Sequence, residues 1–153
     1  MERIAPPRIG RRSLGTVLLA AVIIPPASAG DVEADALLIS DPWFRLSDGP
    51  VRSGRAFVSV RNRAAEPDRL LYAWSLEVRT VELRETSVAG REAGVAFEGL
   101  PIPPDGSLVL SPDGPHLVLR DIAPDVGAKG EVGIGLHFAR TGGIFVSFQV
   151  RPG

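Results

Sequence analysis

The stretch EVGIGLHFARTGGIFVSFQV, residues 131–150, decides the fold class of this chain. Apolar residues occupy every second position from Val132 to Phe138, and a similar alternation returns over 143–150. Side chains on a strand repeat every second residue, so this pattern is typical of half-buried β-strands. The intervening segment Arg-Thr-Gly-Gly supplies the glycines that a tight reversal needs. The stretch therefore predicts two strands joined by a turn.

The same pattern continues toward the amino terminus. Alternating runs occupy 55–62, 79–86, 107–111 and 115–121. The segments SDGP, PPDG and SPDG carry the turn residues between such runs, and no segment keeps a helical 3.6-residue period. We expect an all-β chain with almost no helix, folded as a two-sheet sandwich or a small Greek-key barrel from about residue 36 to 150.

Composition limits the class of protein. The chain has 153 residues, which fits one domain, and its 44% hydrophobic and 23% charged residues are typical of a globular protein. The formal net charge is −1 and Lys129 is the only lysine. Because this balance gives no basic field, we expect no nucleic-acid partner.

The first residues have the pattern of an export signal. Arg11 and Arg12 precede an apolar run over 14–24, which is followed by two prolines and Ala-Ser-Ala. We expect a signal peptide over 1–29 and one mature domain over 30–153. The run is too short to cross a bilayer, so we expect no stable membrane insertion and a periplasmic location. The adjacent arginines leave both the Sec and the twin-arginine routes open.

The sequence has no recognisable catalytic motif. It contains no cysteine, no Gly-x-Ser-x-Gly elbow, no phosphate-binding glycine loop and no His-Glu-x-x-His. His137 lies between Leu136 and Phe138 and is expected to face solvent. We therefore expect that the protein is not an enzyme.

His116, in the run over 115–121, is the other histidine. It alternates with Leu117 and Leu119, so it is predicted to lie on the face away from the apolar one, together with Val118. Two such positions could contribute to a metal site, although Val118 has no donor atom.

Two further expectations concern packing. Trp43 and Trp74 lie among apolar residues, which indicates packing in the core or at a sheet edge. The segment from Asn62 to Asp68 contains Glu66 and Pro67 and predicts a turn that reverses the chain.

Five segments together resemble the periplasmic copper chaperone family called PCu(A)C. They cover nearly the whole expected mature chain in the family's order: 40–50, 57–71, 80–86, 97–119 and 135–150. The most specific blocks read N-x-x-A-E-P-D-R-L, G-L-x-I-P-x-x-G and P-x-G-x-H-L. The resemblance implies a single cupredoxin-like Greek-key β-sandwich that carries Cu(I) outside the cytoplasm. It also implies partners among the proteins that assemble the copper centres of cytochrome oxidase.

The resemblance also implies a copper site with four ligands, of which this chain keeps one. The family's first histidine corresponds to Arg84, and its loop methionine to Gly94, or to Val95 if the loop gap is placed differently. The second histidine corresponds to His116 and the last methionine to Val118. Cu(I) prefers thioether, thiolate and imidazole donors. Since the only methionine is Met1, we expect copper binding by the mature chain to be weak or absent.

Two classes of function remain open on the sequence. The first is a copper chaperone homologue that binds Cu(II) weakly through His116, an amino terminus or carboxylates such as Glu82, Glu85 and Glu92. The second is a metal-free β-sandwich binding module that keeps the family's docking surface. A third reading is an anion site formed by Arg84 with His116, because paired cationic donors suit carboxylates and phosphates.

Overall fold

The computed structural model describes residues 31–86 and 94–152. The expected signal peptide (1–29) and Glu92 lie outside these residues. Within them, no helix has both the length and the apolar character needed to span a membrane.

Ten strands and one short helix make up the described part of the chain. In order they are β1 (Val32–Ala34), β2 (Leu37–Leu46), β3 (Ser53–Asn62), β4 (Asp68–Trp74), β5 (Val78–Arg84), β6 (Leu100–Ile102), β7 (Ser107–Val109), β8 (His116–Ile122), α1 (Asp125–Lys129), β9 (Glu131–Phe138) and β10 (Gly142–Val150). The prediction of an all-β chain is confirmed. The strand pattern did not predict α1, which has only five residues.

The strands form one curled sheet. Eight of them follow the order β5-β8-β3-β2-β10-β9-β4-β6, with β1 paired to β2 and β7 paired to β3. Neighbouring strands are antiparallel, apart from the parallel pair β2 and β10. Strands β4 and β5 also contact each other across the fold. The sheet therefore closes around a core in the manner of a two-layer sandwich.

The alternation in 131–138 forms one wall of that core. Val132, Ile134, Leu136 and Phe138 are completely buried. They pack in the same cluster as Leu117 and other inward side chains of the facing strands. Each such side chain contributes roughly 1.5–3 kcal/mol when it leaves water, so the alternating strands provide the main stabilisation of a chain without disulfides.

The segment after β3 is a turn held by one amide. The Asn62 Nδ2 donates to the carbonyl oxygen of Glu66 at 2.8 Å, and its Oδ1 accepts from the backbone N–H of Ala64 at 3.0 Å. Because Asn62 is buried, these bonds fix the reversal of the chain from inside.

Asp68, which was expected to belong to that turn, is instead the first residue of β4 and is buried. Its carboxylate accepts hydrogen bonds from the Arg140 N–H at 2.8 Å and from the Thr141 hydroxyl at 2.7 Å, in the connection between β9 and β10. Burial acts to raise the pKa of Asp68, but the hydrogen bonds from Thr141, Arg140 and Arg69 together lower it below the ordinary 3.8. The ionised side chain of Asp68 thus links the start of β4 to the connection between β9 and β10, which is distant in the sequence.

Both tryptophans lie on the outer face of the sheet. Trp43 is half-buried against Phe57, with ring centroids 4.4 Å apart. Trp74 is 43% exposed and lies over Gly135, where a Cβ atom would collide with its ring. Of the two expected kinds of packing, core packing applies to neither residue, because the core is filled by phenylalanines and aliphatic side chains. Trp74 lies at a sheet edge, since β6 pairs only with Asp68–Leu70 of β4.

Candidate functional site

Three of the expected metal positions lie together on the outer face of the β5–β8 ladder. Arg84 lies directly opposite His116, and Glu82 lies directly opposite Val118. Directly opposite residues of an antiparallel pair share a face, with Cβ atoms about 4.5–5.5 Å apart. The structure therefore brings Arg84, His116 and Val118 into one patch and adds Glu82 to it.

The fourth position comes from the segment that returns toward β5. Val95 forms a bridge with Arg84, and the Glu85 N–H donates to the Gly94 carbonyl oxygen at 2.9 Å. The bridge places the side chain of Val95 on the face of Arg84 and His116. Gly94 is exposed, and a Cβ atom there would have no neighbour within 4 Å. Of the two positions considered from the sequence, Val95 is the one beside Arg84.

His116 is more enclosed than its strand pattern indicates. It shares its face with Val118, as expected, yet it is only 4% exposed. The outer face is itself apolar here, because the buried ring of Phe57 lies 6.5 Å from the imidazole, centroid to centroid. The predicted face of His116 is confirmed, but this part of the outer face is covered, so the side chain is buried.

The hydrogen bonding of His116 fixes the orientation of its ring. Its Nδ1 lies 3.0 Å from the carbonyl oxygen of Gly114. A carbonyl only accepts, so Nδ1 carries a proton, and in the corresponding neutral tautomer the lone pair lies on Nε2. In the part of the chain that the structure describes, no fully buried side-chain N or O atom lacks a partner. No described residue makes a hydrogen bond to Nε2, and a backbone carbonyl that accepts from the other ring nitrogen is the arrangement a metal-binding histidine uses.

Arg84, opposite that ring, is held by a carboxylate. Its Nε donates to Glu82 Oε2 at 3.0 Å, and its Nη2 contacts the same oxygen. Glu82 also lies 3.6 Å from the Nε of Arg120. The Arg84 and Glu82 side chains are only 16% and 26% exposed, so this ion pair is partly shielded from water. A fixed cation with its counter-ion thus stands where the resemblance places a histidine ligand.

These residues do not fit Cu(I). The patch offers one imidazole, a guanidinium that has no lone pair, and the hydrocarbon side chains of Val95 and Val118. Across residues 31–86 and 94–152, no group of three or more His, Cys, Asp or Glu side chains could hold a metal ion. Of the carboxylates considered from the sequence, Glu82 is engaged by arginines and Glu85 is exposed beyond the end of β5.

The second histidine lies elsewhere. His137 is half-buried on the outer face of β9 and stacks on Tyr72, with centroids 4.7 Å apart and ring planes 14° apart. Strand β9 is separated from β8 by three strands in the sheet order, so the fold does not bring the two histidines together.

Phe57 was not predicted as part of the site. The signal for it is in the sequence, because residues 56–58 are three consecutive apolar residues within an otherwise alternating run. Such a run indicates that both faces of a strand are covered, here the core face by Ala56 and Val58 and the outer face by Phe57.

Comparison with known proteins identifies the fold. A family model described as "Putative lipoprotein LpqE-like" matches residues 37–150. No curated protein matches the chain significantly. Several solved structures are similar, and three of them are as follows. The copper-bound PCuAC domain from PmoF2 has a TM-score of 0.66 and 24% identity, covering 80% of this chain and 98% of that one. The apo PCuAC domain from PmoF1 has a TM-score of 0.67 and 17% identity, covering 80% and 99%.

The third is the solution structure of apo-DR1885 from Deinococcus radiodurans, with a TM-score of 0.59, 22% identity, and coverage of 95% of this chain and 97% of that one. At these identities the three structures establish the fold, and they confirm the prediction of a cupredoxin-like β-sandwich.

Proposed function

The chain belongs to the LpqE-like family, in the copper chaperone-like PCuAC group, and we propose that it is an exported binding protein of this group that does not hold Cu(I) tightly. The resemblance to PCu(A)C proteins seen in the sequence is thereby confirmed. The observation that carries the proposal is the position of Arg84, directly opposite His116.

Charge is the first reason. A cation bound at His116 Nε2 would lie on the same face as the guanidinium of Arg84, which is always protonated. The one negative charge of Glu82 already faces two positive charges, those of Arg84 and Arg120, so it cannot offset a further positive charge. The patch therefore disfavours a metal cation.

The supply of donors is the second reason. Cu(I) needs several soft donors that converge on it. Val95 and Val118 present only methyl groups toward this face, and the sequence contains no cysteine and one methionine, Met1, within the expected signal peptide. The chain over 30–153 cannot rebuild a soft site at another place.

What the proposed mature domain retains is the scaffold. In this proposal a signal peptide over 1–29 directs the domain over 30–153 to the periplasm. There the domain binds a partner and catalyses no reaction. Contact with the assembly proteins of cytochrome oxidase copper centres, the role that the resemblance implies, would then occur without tightly bound Cu(I).

Weak Cu(II) binding is the second candidate. It is favoured by the Nε2 of His116, whose lone pair no described residue engages, while Nδ1 is fixed by Gly114. An anion site made by Arg84 and His116 ranks lower, because Glu82 already occupies the guanidinium.

An anaerobic Cu(I) titration of the purified protein against a colorimetric chelator tests the proposal. We expect the chelator to keep the copper at all protein concentrations. Uptake of one equivalent of Cu(I) by the protein would overturn the proposal. A parallel Cu(II) titration followed by electron paramagnetic resonance then decides whether a weak nitrogen-ligated site exists.

A further inference from the structure

A second charged feature lies on the same side of the sheet, between β2 and β3. Arg45 and Arg55 are directly opposite each other in this ladder, and both are exposed. Residues in this relation have Cβ atoms about 4.5–5.5 Å apart, and like charges placed so are destabilising. The pair therefore needs an explanation.

Neither guanidinium has a carboxylate partner. Within the described ranges, no ion pair or hydrogen bond joins Arg45 or Arg55 to an acidic side chain. The neighbours of Arg55 on its face are Val118 across the β3–β8 ladder and Phe57 along the strand. The guanidinium of Arg45 lies 5.4 Å from the ring centroid of Trp43. Register thus leaves two adjacent positive charges that form no ion pair with any described residue.

Some exposed arginines of the fold form ion pairs. Arg61, on the same strand as Arg55, is 3.0 Å from Asp105, and Arg63 is 3.2 Å from Glu33. Among the described residues, the exposed Arg52 and Arg79 have no ion-pair partner either, so what distinguishes Arg45 and Arg55 is that they lie directly opposite each other.

The two arginines line a cavity of about 530 Å³. It lies between the end of the β2–β3 hairpin and the segment before β8. Its lining includes Arg45, Ser47, Asp48, Arg55, Phe57 and Pro112. The single carboxylate of Asp48 leaves the lining with one net positive charge, while the exposed side chains of Leu46 and Pro112 form an apolar wall.

We propose that this cavity binds a small organic oxyanion, a carboxylate or phosphate attached to an apolar body. Guanidinium groups bind such oxyanions through paired N–H donors, and an anion between Arg45 and Arg55 would remove their mutual repulsion. Leu46 and Pro112 would contact the apolar part of the ligand, since exposed apolar surface gains free energy when it leaves water. This site is distinct from Arg84 and His116, and it does not depend on whether copper binds.

Amide chemical shifts in ¹⁵N-labelled purified protein test the proposal, with benzoate, phenyl phosphate and inorganic phosphate as probes and benzyl alcohol as the neutral control. We expect saturable shifts at residues 45–48 and 55–57 with benzoate and phenyl phosphate, and none with benzyl alcohol. Binding should weaken as salt is raised, because the contacts are exposed and charged.

Variants identify the residues responsible. Arg55→Gln and Arg45→Gln should each weaken binding about fivefold or more, the loss expected for a partly exposed charge-assisted contact. The matched variant Arg61→Gln removes the same charge from the same strand and should leave binding unchanged. Arg84→Gln should also have no effect. Circular dichroism shows whether each variant is folded. The salt dependence is measured on the wild-type protein, so it tests the proposal even if a variant does not fold.

Three results would overturn the proposal: no saturable shift with any probe, equal binding by wild type and Arg55→Gln, or shifts centred on Arg84 and His116. Binding of phenyl phosphate but not benzoate identifies phosphate as the ligand group, and the reverse identifies carboxylate. Inorganic phosphate binding as tightly as phenyl phosphate would refute the role of the apolar wall.

Discussion

Arg84 and His116 face each other across the β5–β8 ladder, so a permanent cation stands directly opposite the ring that offers a metal its Nε2 lone pair. The arrangement is stabilised by Glu82, which lies two residues before Arg84 on the same face and binds its guanidinium.

The variant His116→Ala should leave Cu(I) affinity nearly unchanged, because one imidazole alone cannot compete with a chelator. Chelator competition measures this, with His137→Ala as the matched control on another strand. Tight binding by the wild type that is lost only in His116→Ala would show that a copper site exists around His116 after all.

Restoring the donors should create a copper site. The triple variant Arg84→His, Val95→Met, Val118→Met places two thioethers and a second imidazole beside His116. In the chelator competition we expect this variant to remove Cu(I) from the chelator, whereas the natural protein does not.

A second triple variant with Gly94→Met in place of Val95→Met is the comparison. It should bind more weakly, because Val95 and not Gly94 is bridged to Arg84. Equal or tighter binding with Gly94→Met would contradict the placement of the loop position, and no binding by either variant would contradict the alignment of the four positions.

Gly54→Ala should destabilise the protein by about 1–3 kcal/mol, the usual cost of forcing atoms into a packed position. A Cβ atom at Gly54 would lie 2.5 Å from the carbonyl oxygen of Arg45, which is backbone and cannot move aside. Gly94→Ala is the control, since nothing lies within 4 Å there, and it should change stability by less than about 0.5 kcal/mol. Urea denaturation compares the two, and equal midpoints would refute the close approach.

Asp68→Asn should lower stability at pH 7 by about 1.5–3 kcal/mol, because hydrogen bonds from Thr141 and Arg140 to a charged acceptor are lost. Hydrogen bonding lowers the pKa of Asp68 in the folded state, so its ionised form contributes stability above the ordinary value of 3.8. That contribution disappears as pH falls from 3.8 through the lowered native-state pKa.

The difference between wild type and Asp68→Asn should therefore shrink in acid. Urea denaturation at pH 7 and pH 3 measures it, with the exposed Asp105→Asn as control. A difference that stays constant between the two pH values would exclude a titrating role for Asp68.

Most strands could be predicted because their alternation is local. The run over 131–138 became β9 with the same bounds, Glu131–Phe138. Strand β2 was missed, because Asp41 has a φ of 52° and the ladder shifts register between Ser40 and Trp43. Such a bulge interrupts the period of two on which the prediction rests.

The candidate site was predictable only in part, for a related reason. The shared face of His116 and Val118 follows from spacing on one strand. The burial of His116 depends on Phe57, and its pairing with Arg84 depends on the β5–β8 register. Both are contacts between distant parts of the chain, which no local pattern specifies.

The parallel pair of β2 and β10 sets the order in which this fold can form. Trp43 pairs with Gln149, and the Arg151 N–H donates to the Phe44 carbonyl oxygen at 2.8 Å. The two halves of the sheet are joined through this ladder, which links the beginning of the described fold to its end. Strand β1 covers only Leu37–Ile39 on this edge of β2, so in a growing chain the part of the edge at Trp43 and Phe44 stays unpaired until β10 has been made. An unpaired edge is a template for association with other chains, so β10 protects the nascent protein as well as completing the sheet.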